Sequence, residues 1–251
     1  MSEIHVSNLF HTFGKGTPDA LTVLESIDLV FLSGSFNTIV GTSGCGKSTL
    51  LKMMAGLYAP TEGSITLNGE EITGTGRDRG MVFQQDAVFP WMTVAKNISY
   101  GPRLRGASKK EQREIEAKWV EIVGLQGFED RWPRELSGGM RKRVDIGRVY
   151  ANDPEVLLMD EPFGALDAQT KERMQTDLLD AWRVSKKTVI FVTHDLEEAI
   201  FLSDKIIVMS ARPGRIRHIE EVSLPRPRTN DMRLESEFIN IKRKLWGMLE
   251  H

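Results

Sequence analysis

The sequence predicts an α/β protein with a parallel sheet covered by helices, an antiparallel β-rich beginning and a helical lobe inserted part-way along. Three observations carry this. Short apolar strands (Val156–Met159, Thr188–Val192 and Lys205–Met209) alternate with helical segments, as in parallel sheets buried on both faces. From Ile4 to Phe36 the pattern is β-rich, broken by Gly14, Gly16, Pro18 and Gly34, with no helical period. Between about Pro90 and Ala151 the composition turns charged and helical.

In order, Phe36–Val40 reads as a strand, Gly41–Gly46 as a glycine-rich loop, and Lys47–Leu57 as a helix closed by Gly56 and Pro60. A β-rich stretch follows around Ile65 and Leu67, and Gly80–Gln84 reads as a strand ending in amides. In the lobe, Ser108 with Glu111 forms a capping box, and Ile115, Trp119, Ile122 and Val123 mark an apolar face that ends at Gly124. Lys171–Trp182 reads as a helix, and Phe238, Ile241, Leu245 and Leu249 form a stripe on a last helix. The expected organisation is one domain over 1–251: a core from 1–89 and 152–220, the helical lobe 90–151, and a tail helix within 221–251.

Composition narrows the function. Thirty-three Lys plus Arg against 35 Asp plus Glu, a net charge of −2, supplies no basic field for gripping nucleic acid, which is not expected as a ligand. Forty per cent hydrophobic and 27% charged residues exclude a disordered or collagenous chain. A single cysteine excludes an intrachain disulfide framework and suits a reducing compartment. No apolar run reaches the ~18 residues of a membrane span, and the first residues lack the pattern of a signal peptide. The expected location is cytoplasmic, with any membrane contact made through partners or a surface.

Gly41-Thr42-Ser43-Gly44-Cys45-Gly46-Lys47-Ser48, followed by Thr49, fits the P-loop pattern between a strand and a helix. Its glycines let successive N–H groups turn around phosphate oxygens, and the helix start aims its positive end at the same anion. Lys47 can reach the β- and γ-phosphates, and the Ser48 hydroxyl is placed to ligate Mg²⁺. Asp160 and Glu161 end an apolar strand, where ligands of parallel α/β sheets lie. Asp160 is the candidate Mg²⁺ holder, and Glu161 the candidate for polarising the attacking water. The competing reading has both carboxylates cap a helix after Pro162. Thr193-His194-Asp195 follows the next strand, which gives His194 a γ-phosphate role.

Leu136-Ser137-Gly138-Gly139-Met140, lying 23 residues before Asp160, resembles the signature of the ABC-type ATPases. The resemblance spans the P-loop, Gln84 in Val-Phe-Gln, the signature, Leu157–Glu161, Ala165-Leu166-Asp167 and His194. It implies a P-loop NTPase (RecA-like) core, ATP and Mg²⁺ as ligands, and hydrolysis with Glu161, His194, Gln84 and Lys47 at the reaction. Gln84 would also contact the metal, Asp167 would lie at a dimer seam, and Phe13 would stack on adenine, with Phe10 the competitor. In that family two subunits sandwich two ATP molecules, each held by one subunit's P-loop and the other's signature. Ser137, Gly138 and Gly139 open a predicted helix through Arg148, which makes a second anion-facing helix start.

Within the family, Gly-Thr-Gly-Arg-Asp-Arg-Gly before Val82, Phe89-Pro90-Trp91 and Leu224-Pro225-Arg226-Pro227-Arg228 are similar to the nitrate, sulfonate and taurine importer ATPases. This implies a homodimer with integral permease subunits and an indirect solute-binding protein, at the cytoplasmic face of the membrane. Trp91 either meets a membrane subunit or packs inside the lobe. Arg226, Arg228, Lys242, Arg243 and Lys244 are expected on a solvated helix face. Only 57 residues (251 − 194) follow His194, too few for an added regulatory domain. Thr42, Met140 and Lys142 depart from the family pattern: Met140 removes a polar contact on the ribose side, and Lys142 has no account in sequence terms. The rivals are an ABC ATPase exporting or moving another solute, one acting on nucleic acid, and a small-molecule kinase.

Overall fold

β1 (Ile4–Phe13) and β2 (Leu21–Phe31) form a long antiparallel pair, running from Ile4 opposite Phe31 to Phe13 opposite Leu21. The computed structural model describes residues 2–164 and 166–249; Ala165 of the Ala165-Leu166-Asp167 motif lies outside the described residues, as do Met1, Glu250 and His251 of the expected 1–251 domain. Then come β3 (Phe36–Gly41), α1 (Lys47–Met54), β4 (Glu62–Leu67) and β5 (Glu70–Glu71). The middle of the chain carries β6 (Arg79–Val82), α2 (Val94–Ile98), α3 (Tyr100–Leu104), α4 (Lys109–Ile122), α5 (Gly138–Ala151), β7 (Val156–Asp160) and α6 (Ala168–Ser185). Last are β8 (Thr188–Val192), α7 (Leu196–Leu202), β9 (Lys205–Met209), β10 (Ile216–Glu221) and α8 (Ser236–Leu249). Two compact units result, one from the described residues of 1–76 and 186–251, the other spanning Arg77–Ser185.

The first unit holds an antiparallel sheet in the order β2-β1-β4-β5. It also holds β3 in parallel register with β8 on one side (Phe36 beside Val189) and β9 on the other (Gly41 beside Met209), with β10 antiparallel on β9. Every residue of β3 and β8 is buried, in keeping with their mostly apolar character; Asn37, Thr38 and Thr188 are the buried polar exceptions. α1 packs on β3 and β8, and α7 on β3. Side chains such as Phe36, Ile39, Leu50 and Phe191 each contribute about 1.5–3 kcal/mol by leaving water. Because β3 and β8 are parallel neighbours, the loops after them, 42–46 and 193–195, leave from the same edge.

Arg226 and Arg228 depart from the expected solvated basic face, whereas Arg243 and Lys244 are exposed on α8 as expected. Arg226 and Arg228 precede α8 and face the end of α7, whose last carbonyls have no partner within the helix. Arg228 is buried and donates from Nη1 to the carbonyls of Ile200 (2.9 Å) and Phe201 (3.0 Å). Arg226 donates to the Leu202 carbonyl (2.7 Å) and pairs with Asp204 (2.8 Å). Burial lowers the Arg228 guanidinium to about 10, which still leaves a full positive charge at the negative end of the helix. On α8, Lys242 pairs with Glu197 and Lys244 with Glu220, while Phe238, Ile241 and Leu245 turn inward as the stripe requires.

In the second unit β6 and β7 run parallel, Arg79 beside Val156 to Val82 beside Met159. Val94, Ile98, Val120, Val123, Leu136 and Val144 make the core of its helices, with Ile115 and Trp119 packed against it. Ser108 caps α4 by accepting from the Glu111 N–H (3.2 Å), and Gly124 ends the apolar face in the left-handed region at φ +63°.

Candidate functional site

The loop between β3 and α1 has the geometry of an anion cradle. Gly44 (φ +77°) and Gly46 (φ +101°) lie in the left-handed region; a Cβ on Gly46 would stand 2.6 Å from Leu24 Cδ2, so both conformation and space demand glycine there. Gly46 is also the N-cap of α1, and no side chain caps the first N–H groups of that helix. Thr42, Ser43 and Gly44 are exposed, whereas Gly41, Cys45, Gly46 and Lys47 are buried; Ser48 and Thr49 are half-buried in the first turn. Lys47 Nζ donates to the carbonyls of Gly41 (2.8 Å) and Thr42 (3.1 Å), so the ammonium is folded over the loop.

Sequence reasoning passed over Arg212, whose Nε donates to the Gly44 carbonyl (3.2 Å). Next to it, Gly214 backs the loop: its N–H donates to Val23, and a Cβ there would stand 2.1 Å from the Cys45 carbonyl. The signal available in the sequence was the Arg-Pro-Gly turn at 212–214.

His194 is exposed at the end of β8, where Asp195 caps α7 by accepting from the N–H groups of Glu197 (2.8 Å) and Glu198 (3.3 Å). A cleft of about 750 Å³ joins His194 to the P-loop, lined by Gly41, Thr42, Ser43 and residues 194–197, with Lys242, Trp246 and Leu249 of α8 as its far wall. Phe13 ends β1 with its ring 42% exposed, edge-on to His11 at 4.5 Å and to Tyr58 at 6.1 Å; Phe10 is half-buried. Phe13 is thus the more available aromatic face. Burial lowers the His11 pKa and keeps that ring neutral.

In the second unit, Asp160 is buried at the end of β7 and Glu161 follows in the left-handed region at φ +44°. A non-glycine residue held there costs of order 1–3 kcal/mol, a cost that tends to mark functional positions. No helix begins at Pro162; the chain turns, with the Gly164 N–H on the Glu161 carbonyl (3.2 Å), so the two carboxylates are not helix caps. Gln84 Nε2 donates to Glu161 Oε2 (3.3 Å), and its amide oxygen is the atom left to accept a cation. A hydroxyl (Ser48), a carboxylate (Asp160) and an amide oxygen (Gln84) are hard donors of the kind Mg²⁺ takes, and among the described residues no His, Cys, Asp or Glu cluster forms a metal cage by itself.

α5 starts at Gly138 with Ser137 as its cap, the hydroxyl accepting from the Met140 N–H (3.2 Å). Met140 packs its side chain on the helical core, which gives its departure from the family pattern a physical account. Asp167 is exposed and accepts from the Thr170 N–H (3.0 Å), a bond that lowers its pKa. Lys142, uninterpreted in sequence terms, is 3% exposed and donates to the carbonyls of Phe83 and Gln84. Trp91 is 66% exposed, so it does not pack inside the lobe.

Residues 24–164 match the ABC transporter family. The chain belongs to that family. A relative from Methanocaldococcus jannaschii, an uncharacterized ABC transporter ATP-binding protein, is 48% identical over 248 residues, covering 99% of this chain and 91% of its own length. The nitrate import ATP-binding protein NrtD of a Synechocystis species is 45% identical (98% and 94% covered). The aliphatic sulfonates import ATP-binding protein SsuB of Bacillus cereus is 44% identical (99% and 96%). Among solved structures, the ATP-binding cassette MJ0796, a dimer bound to ADP and Pi, superposes with a TM-score of 0.79 at 31% identity, over 88% of this chain and all of that one. The chain is therefore an ABC-type ATPase with the mixed α/β fold of its family.

Proposed function

We propose that this ABC ATPase is the ATP-hydrolysing subunit of a multisubunit importer for a small anion such as nitrate, a sulfonate or taurine. It works as a homodimer, peripheral at the cytoplasmic face of the membrane, with integral permease subunits and, indirectly, an extracytoplasmic solute-binding protein. The names of the nitrate and sulfonate relatives support the solute class, and the dimeric cassette supports the pairing. Among the described residues no helix is long and apolar enough to cross a membrane.

In this reading the N–H groups of Gly41–Thr49 and Lys47 hold the phosphates, and Phe13 stacks on adenine. Ser48, Asp160 and Gln84 are the residues that would hold Mg²⁺, which would supply neutralisation of charge on the phosphate oxygens. Glu161 takes the proton of the attacking water, oriented by Gln84; His194 hydrogen-bonds the γ-phosphate. Ser137–Met140 and Asp167 serve the other subunit's nucleotide. The carrying observation is the second anion-facing helix start at Ser137, beyond the P-loop, for which a kinase has no use. Exposed Trp91 suits a contact with a permease subunit.

The test is Glu161→Gln with saturating Mg-ATP. Light scattering should show about twice the 28.3 kDa of one chain; a monomer, even beside its permease subunits, overturns the reading. Uptake of labelled nitrate, alkanesulfonate and taurine by cells carrying the complete system tests the solute class, which fails if none enters.

A further inference from the structure

Three side chains on α5 hold the segment that follows β6, and a fourth backs one of them. Arg141 pairs with Asp86 (2.7 Å), Lys142 Nζ reaches the carbonyls of Phe83 and Gln84 (the latter 3.0 Å), and Arg148 lies over the Phe89 ring at 4.8 Å. Asp145, fully buried one turn after Lys142, pairs with Arg148 (2.7 Å). The spacing 141, 142, 145, 148 is one helix face. Lys142 is the costly member: a buried ammonium resting on two backbone carbonyls, with Asp145, Asp86 and Asp160 acting on it only through their fields. Methionine or leucine would fill that space without the desolvation cost. What the ammonium adds is a fixed position for the Gln84 backbone, from which the Gln84 amide reaches Glu161.

We infer that Lys142 is a positioning residue for hydrolysis, fixing Gln84 against Glu161 and tying that pair to the helix that starts at Ser137. The inference rests on the roles given above to Gln84 and Glu161. Lys142 touches neither nucleotide nor water; it acts through the Phe83 and Gln84 carbonyls. A change felt at the start of α5 is thereby transmitted to Gln84 through a rigid helix, with no loop in between.

The experiment is a double-mutant cycle in the full chain with its permease subunits. Lys142→Met, which keeps the length and removes the donors, should lower kcat by about tenfold to a hundredfold, the scale of a misplaced reacting group, with Mg-ATP affinity unchanged. Lys142→Gln, able to donate to one carbonyl, should recover part of the loss. In the Gln84→Ala background Lys142→Met should have no further effect on kcat. Full kcat in Lys142→Met, or the same loss with and without Gln84, overturns the inference, as does failure of both Lys142 variants to fold by thermal melting. Full kcat in Gln84→Ala alone would instead strike the role given to Gln84.

Discussion

α1 and α5 both begin among glycines, but only α5 caps itself. At α1 the N-cap is Gly46 in a left-handed conformation, no side chain satisfies the first N–H groups, and the nearby Lys47 is buried over its own loop. At α5 the Ser137 hydroxyl takes the Met140 N–H, and the next two cations, Arg141 and Lys142, turn away to residues 83–86. An uncapped helix start with its cation at hand is organised to receive an anion. A self-capped start whose cations are engaged elsewhere needs no anion within its own chain and is tied to the segment its cations hold. Of two like-looking helix starts, one is therefore open to an anion in the single chain, while the other is closed by its own hydroxyl and anchored to residues 83–86.

Four measurements test this division. The largest effect is on turnover: Glu161→Gln should cut ATP hydrolysis by about 10²- to 10⁴-fold while nucleotide binding at α1 survives, and near-normal hydrolysis would remove Glu161 from its role. Next, Lys47→Met should weaken Mg-ATP binding by about a hundredfold, the loss of a charged hydrogen bond worth about 1.5–3 kcal/mol. Ser137→Ala, by contrast, should leave binding to the single chain unchanged and lower stability by about 1 kcal/mol in urea titration. Equal losses of affinity in both variants would erase the contrast.

The smallest effect is in pH dependence. Burial holds the Lys142 pKa below the ordinary lysine value, with Asp145, Asp86 and Asp160 opposing. Below the folded value, folded and unfolded chains both carry the proton, so the burial penalty is fully present. As pH rises between the folded and unfolded values, the folded chain releases its proton first and the unfolded chain binds more, so stability increases with pH. The unfolding free energy of the parent chain minus that of Lys142→Met should therefore climb as pH rises toward the ordinary lysine value. A level difference throughout would place the ammonium in water.

The strands and the P-loop were legible because their information is local. β7 and β8 are apolar nearly throughout and β3 is apolar but for Asn37 and Thr38, and the loop between β3 and α1 announces itself by glycine spacing and a lysine. What escaped reading depends on partners far along the chain. Lys142 meets residues 58 and 59 positions away, and Arg226 and Arg228 meet the end of α7 more than 20 positions earlier. A basic residue has no periodic signature that separates a buried carbonyl cap from a solvated charge. The left-handed backbone of Glu161 was equally silent, since nothing in Asp-Glu-Pro states which φ its middle residue takes.

The basic tail has a practical consequence for anyone trimming this protein. Cutting the chain after β10 would strip Arg226 and Arg228 from the carbonyls of residues 200–202 and remove α8, which packs against α7. It would also take away the Trp246 side of the pocket beside the P-loop. A shortened version chosen to keep every nucleotide motif would keep the letters and lose the bracket that steadies the helix next to His194.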